Sequence, residues 1–140
     1  MSINTYYKTV SAVMSYVESS IEAIVPSTFF GPKESPDAWP FCTIIPGQDN
    51  ISPDSNESDQ HMIDFQLVAG IENEDLQAGI QSIIELAGDI YDDLFHDHTF
   101  EGLADEVYPR RVDPRFGEGD TYTRHLVSLQ FTVRKQLDRS

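Results

Sequence analysis

The chain has 140 residues, of which 39% are hydrophobic, and its 24 acidic and nine basic residues give a formal net charge of −15. This length suits one domain, so we expect a single domain over residues 1–140. Such an acidic chain should repel anionic membranes and nucleic acids, because nucleic-acid binding depends on neutralising phosphates. The acidity itself has two possible causes, a contribution to solubility and a saline environment. No apolar run is long enough to predict a transmembrane helix, and the N-terminus lacks the pattern of a secretory signal.

The N-terminal segment has the apolar spacing of an amphipathic helix. Asn4 or Thr5 can cap its start, and we expect it to end before Pro26. Residues 26–38 contain three prolines and a glycine and are therefore expected to form an irregular connector. The apolar positions of the helix are Tyr6, Val10, Val13, Val17, Ile21 and Ile24.

Two strands are predicted next, separated by a long polar segment. WPFCTIIP at 39–46 predicts a short strand between prolines, and residues 61–72 show the alternation of a half-buried strand. Residues 47–60 between them, with four acidic side chains and a proline, are expected to form a long polar loop. The two strands should pair in an antiparallel arrangement with this loop as an extended tip.

A second helix is predicted immediately after that strand. Asn73 is a favoured N-cap, and the acidic residues behind it complement the helix dipole. The helix should run to about Phe95, and close packing would explain why Gly79 and Gly88 are tolerated inside it. Its wide apolar face comprises Ile80, Ile83, Ile84, Ala87, Ile90, Tyr91, Leu94 and Phe95.

The C-terminal third predicts two more strands. Residues 103–113 indicate a strand broken by Pro109, residues 114–122 a turn or mobile loop, and residues 123–137 a strongly alternating strand. The resulting order is α-β-β-α-β-β. Because each helix has one apolar face, we predict an α+β fold in which two helices pack on one mostly antiparallel sheet in two layers.

His96 and His98 are the main candidates for a metal site. They lie near several aspartates, and His61 or His125 could supply a further ligand, which would make a small metal-binding domain or enzyme. Their i, i+2 spacing does not place them on one face of a helix, so solvated residues at a helix end are the favoured interpretation.

Other motifs for chemistry fail on inspection. A calcium-binding loop of the EF-hand type beginning at Asp54 would need glycine at position 59 and glutamate at position 65, but the chain has Asp59 and Phe65 there. The G-x-G at Gly117 contains Glu118 and is followed by Asp120, and both carboxylates would repel phosphate. Cys42 has no neighbour that would activate its thiol. We therefore predict no enzymatic activity, no metal and no cofactor.

One basic cluster stands out in the acidic chain. It consists of Arg110, Arg111 and Arg115, and it is either a solvated loop or a contact between subunits. Paired with an acidic segment on another copy, it would give a heterologous contact that closes into a ring. The acidic contact candidates in the 47–60 loop are Asp49, Asp54, Glu57 and Asp59.

The layout resembles that of the tail terminator, or tail completion, proteins of long-tailed bacteriophages and related archaeal viruses. The resemblance covers nearly the whole chain. It rests on the helix exit IEAIVP, the strand WPFCTIIPG with its polar loop, the strand HMIDFQLVAGI feeding a helix, and the final strand LVSLQFTVRKQL. Other neck and head–tail joining proteins have similar layouts.

This resemblance implies a structural role in a virion. Such proteins form a homohexameric ring on the head-proximal end of the tail tube after assembly in the host cytoplasm. They contact the tail tube protein and the head connector, and DNA passes through the lumen without specific binding. An acidic lumen would repel the moving genome, and the family has no catalytic residues to carry over.

Overall fold

A computed structural model describes residues 5–22, 24, 28–30, 41–118 and 123–138, with the backbone alone at 28–30 and 118. The described residues form two helices and five strands. In chain order these are α1 (Thr5–Ile21), β1 (Thr28–Phe30), β2 (Phe41–Pro53), β3 (Ser58–Glu72), α2 (Leu76–Phe95), β4 (Glu106–Glu118) and β5 (Arg124–Asp138).

The strands make one sheet in the order β1-β2-β3-β5-β4. The four long strands pair antiparallel, and β1 joins the edge of β2 in parallel. Both helices pack through apolar side chains on one face of this sheet. The predicted α+β class and the order of the main elements are confirmed.

Strand β1 departs from the sequence prediction, because the prolines of residues 26–38 indicate an irregular connector. Three residues between Pro26 and Gly31 suffice for a short strand beside Cys42–Ile44 of β2. The rest of that segment lies outside the described residues, as does Asn4. Helix α1 starts with Thr5 and ends at Ile21, earlier than predicted, and Tyr6 of its expected apolar stripe is exposed.

The prediction of a long loop over 47–60 is wrong. Strands β2 and β3 continue through this polar segment and leave only residues 54–57 as the turn of a hairpin. A register shift between Pro46 and Asp49 accommodates the extension. Both faces of the outer part of β2 are largely exposed, so its sequence lacks the alternation that identifies a half-buried strand.

Helix α2 begins later than predicted. Its N-cap is Asp75, whose carboxylate accepts the N–H of Ala78, while the Asn73 side chain accepts the N–H of Asp75. The predicted end at Phe95 is confirmed. Its buried face is narrower than expected, because Ile84 and Tyr91 are exposed to 53% and 41%.

Strand β4 is longer than the sequence indicated. It passes Pro109 with a register shift that leaves Arg110 as an additional residue, and it continues to Glu118 through part of the predicted turn. Residues 119–122, including Gly119, lie outside the described part of the chain. The alternating strand β5 is confirmed and supplies Val127, Leu129 and Phe131 to the core.

Candidate functional site

The three arginines of the predicted basic cluster lie on β4, an edge strand of the sheet. We call Arg110, Arg111 and Arg115 the arginine strip. Arg111 lies beside Gln130 of β5 and Arg115 beside Leu126. These β5 residues alternate with core residues, so the strip belongs to the sheet face that points away from the helices, which we call the open face.

Arg110 is held in a polar ladder across the open face. Its Nε donates to Oγ1 of Thr132 at 3.1 Å, and that hydroxyl donates to Asp64 at 2.8 Å. The Arg110 guanidinium also lies 5.1 Å from the centre of the Tyr108 ring. Three strands are linked by these contacts, so Arg110 stabilises the sheet as well as contributing charge.

Arg111 is the more available cation of the strip. Its side chain is 65% exposed, and Nη2 lies 3.9 Å from the carboxylate of Asp113, a long and solvated ion pair. Arg115 lines the same shallow depression as Arg111 and Asp113. An acidic group from another molecule could therefore approach this edge without first displacing a buried ion pair.

The predicted acidic contacts divide into exposed and buried residues. Asp54 and Glu57 are exposed in the turn of the hairpin, and Asp59 lies partly buried at the start of β3. We call these three residues the acidic tip. Asp49 differs, because its Oδ2 lies 2.6 Å from Nδ1 of His61 and both side chains are nearly buried.

The arginine strip and the acidic tip do not meet within one chain. Ser58 at the base of the tip pairs through β3 with Asp138 of β5, whereas Arg111 pairs with Gln130. The acidic tip and Arg111 are therefore eight residues apart when measured along β5, a distance of roughly 27 Å. Pairing of these charges requires a second copy of the chain.

The histidines considered as metal ligands are scattered. His96 contacts the carbonyl oxygen of Asp93 at the end of α2, and the exposed His98 lies 3.7 Å from Glu106. His125 is buried near the opposite end of α2, while His61 pairs with Asp49. No group of three or more possible metal ligands occurs among the described residues.

An apolar groove between α2 and β4 was missed by the sequence reasoning. Its volume is about 260 Å³. The sequence feature that indicates this groove is the apolar face of α2, which has more apolar positions than one sheet can cover and includes a glycine at position 88. The lining residues are Ile84, Ala87, Gly88, Tyr91, Val112 and Pro114, and we call this surface the α2–β4 groove.

Comparisons with known proteins identify a structural likeness. The chain is similar to one in a structure described as the virion of a native gene transfer agent (GTA) particle. The alignment covers 94% of this chain and 99% of the other, with a TM-score of 0.65. At 13% sequence identity this likeness concerns the fold. No family model and no curated protein sequence matches the chain.

Among the described residues, neither helix is both long and apolar enough to cross a membrane.

Proposed function

We propose that this chain is a structural protein of a phage-like virion. It forms a homo-oligomeric ring, with six copies, that caps the head-proximal end of the tail tube and joins it to the head connector or neck. The observation that carries this proposal is the likeness to a GTA virion chain, which extends over nearly the full length of both chains. Other head–tail joining proteins are the nearest alternative within the same class.

The distribution of charge supports assembly from copies of the chain. The arginine strip and the acidic tip carry opposite charges and lie roughly 27 Å apart along the sheet. A contact between two different surfaces of identical subunits is heterologous, and it closes into a ring when the rotation between neighbours permits. Arg111, Arg115, Asp54 and Glu57 are the contact residues that this arrangement favours.

The net charge supports a passive relation to DNA. A formal charge of −15 opposes binding to phosphates, since such binding requires cations that displace counterions. In a ring through which DNA moves, weak attachment to the wall would allow the genome to pass. The tail tube protein and the connector would be the chain's partners, with assembly in the host cytoplasm before incorporation into the virion.

Inactivation of the gene in its own genome tests this function. We expect particles that accumulate as separate heads and tails, with tubes of irregular length, in electron micrographs. Supplying the wild-type chain in trans should restore joined particles. Normal joined particles in the absence of the chain would overturn the proposed role.

A further inference from the structure

We propose that the α2–β4 groove receives the outer edge of β2 from a second copy of the chain, with Ile51 as the inserted side chain. This inference rests on the proposed ring and specifies which surfaces meet. The groove is lined almost wholly by apolar atoms, and Ile84 and Val112 are each about half exposed in the isolated chain. Covering such adjoining apolar side chains removes them from water and favours association.

The floor of the groove leaves room for an incoming side chain. A Cβ placed on Gly88 would meet no atom within 4 Å. The walls are the neighbouring turns of α2, through Ile84 and Tyr91, and the edge strand through Val112 and Pro114. The groove thus has the size and the apolar character for a branched aliphatic residue.

Ile51 has the matching properties at the other edge of the sheet. It is the most exposed large aliphatic side chain among the described residues, at 59%. Its strand neighbour is His61, which alternates with the core residue Ile63, so Ile51 lies on the helix-bearing face. Strand β1 pairs with β2 only at Cys42–Ile44, and no other described strand covers the outer edge of β2.

The two surfaces therefore lie on the same face of the sheet and at opposite edges. A neighbour placed edge to edge keeps its helices on the same side and brings its β2 beside β4. In that arrangement the two strands run antiparallel, because β2, β3, β5 and β4 alternate in direction. The edge of β4 contains Pro109 and Pro114, which lack N–H groups, so insertion of side chains rather than a continuous strand ladder should dominate.

The register of the sheet is compatible with closure into a ring. Across the sheet, Ile51 aligns through His61 with Lys135 of β5, whereas Val112 aligns with Leu129. Bringing Ile51 of the next copy beside Val112 therefore shifts that copy by six residues, or roughly 20 Å, along the strands. The lateral step to the next copy is four strand spacings, roughly 19 Å. These two distances imply strands tilted by about 45° from the ring axis, at the upper end of the range found in closed β-barrels.

Charge complementarity supports the same alignment. With Ile51 opposite Val112 and the strands antiparallel, residues after Ile51 lie beside residues before Val112. Ser52 of the next copy then lies directly opposite Arg111, the exposed cation of the arginine strip. Asp54 lies two positions further along and is a diagonal neighbour that the long Arg111 side chain can reach. Arg110 and Arg111 also line a depression shared with Tyr91 and Val112, adjoining the groove. The apolar contact and the ion pair are therefore satisfied together.

Disulfide cross-linking tests the contact. A chain carrying both Ile51→Cys and Val112→Cys should give a ladder of linked subunits on oxidation, visible on a non-reducing gel. The only native cysteine, Cys42, is buried. A control chain with Ile51→Cys and Leu76→Cys should give no ladder, since Leu76 is equally exposed on α2 but lies outside the groove.

A second pair of variants measures the groove without cysteines. Ile84→Asp should weaken self-association at least tenfold in sedimentation equilibrium, as expected for the loss of a central apolar contact. Leu76→Asp introduces the same charge at an exposed position on the same helix and should leave association unchanged. Circular dichroism should show both variants folded.

The outcomes separate the interface from the function. Absence of the ladder together with wild-type association of Ile84→Asp would overturn the interface. If gene inactivation still abolished head–tail joining, the proposed function would stand with a different contact between copies. A chain that stays monomeric at its highest soluble concentration would also overturn the interface.

Discussion

Gly79 of α2 packs against the imidazole of His125 so closely that a Cβ at position 79 would overlap the ring. His125 is fully buried in β5. Its Nδ1 accepts the N–H of Gly117 at 3.2 Å, so the proton resides on Nε2, which faces the carbonyl oxygen of Asn73 at 3.4 Å. This single side chain therefore fixes where the start of α2 and the end of β4 lie on the sheet.

Substitution of the two helical glycines should have opposite effects on stability. Gly79→Ala should lower the free energy of unfolding by about 1–3 kcal/mol, because the added methyl group overpacks the contact with His125. Gly88→Ala should raise it by up to about 1 kcal/mol, because alanine favours the helix and position 88 is open. Urea denaturation measures both, and a stabilised Gly79→Ala variant would contradict the packing described here.

Asp97 is predicted to stabilise the turn that follows α2. Its carboxylate accepts the N–H groups of Thr99 and Glu101, each at 2.9 Å, and these bonds hold the pKa of Asp97 below its usual range. The turn matters because Phe100 and Glu101 have positive φ angles and Phe100 is buried in the core. Asp97→Asn should therefore lower the stability of the chain at neutral pH.

The pH dependence of that effect has a definite sign. Because the pKa of Asp97 is lower in the folded state, its contribution is fully present above the ordinary aspartate pKa of about 3.9. It is lost as the pH falls through the lower folded pKa. Asp97→Asn should thus differ most from the wild type above about pH 4. The exposed Asp92→Asn serves as a control and should change stability little, whereas equal effects of both substitutions would contradict the assignment.

Cys42 should be unreactive in the folded protein. Its side chain lies in the core, and burial raises the pKa of the thiol well above its usual range, so the nucleophilic thiolate is scarce. A thiol reagent should label the chain in denaturant and leave it unlabelled in buffer. Stoichiometric labelling of the native chain would show that β2 opens readily.

Reversal of the charge at Arg111 should weaken assembly. Arg111→Glu places a carboxylate opposite the neighbouring copy's acidic tip, and like charges across an interface disfavour association. We expect a loss of roughly tenfold in affinity, about 1.4 kcal/mol, that diminishes at high salt. Lys8→Glu makes the same change on the exposed part of α1 and should have little effect. Restoration by Asp54→Arg in the Arg111→Glu background would identify the pair, and failure to restore would argue against it.

The elements with a buried face were predictable from the sequence. In strand β5 the buried side chains recur at every second residue, and in helix α2 they lie along one helical face. Hydrophobic periodicity in the sequence therefore identifies both elements. The outer part of the β2–β3 hairpin was not predictable in this way. The residues of β2 after Ile45 are largely exposed, so their hydrophobic pattern cannot distinguish this part of the hairpin from a loop.

The candidate interface was only partly predictable. The arginine strip is visible as a cluster in the sequence, but its placement on an edge strand depends on the sheet order. The α2–β4 groove depends on which apolar residues of α2 remain uncovered, and Ile84 and Tyr91 have the same spacing as their buried neighbours. The Asp49–His61 contact could not be predicted, because it depends on the pairing of β2 with β3 in a segment whose sequence indicates a loop.

Native mass spectrometry of the purified chain, at low and at high salt, with images of the same sample by electron microscopy, is the most direct test of ring assembly. We expect a closed ring of six copies with a central opening at both salt concentrations, because apolar contacts as well as ion pairs hold the copies together. A monomer, or a dimer with two-fold symmetry as the largest species, would contradict it.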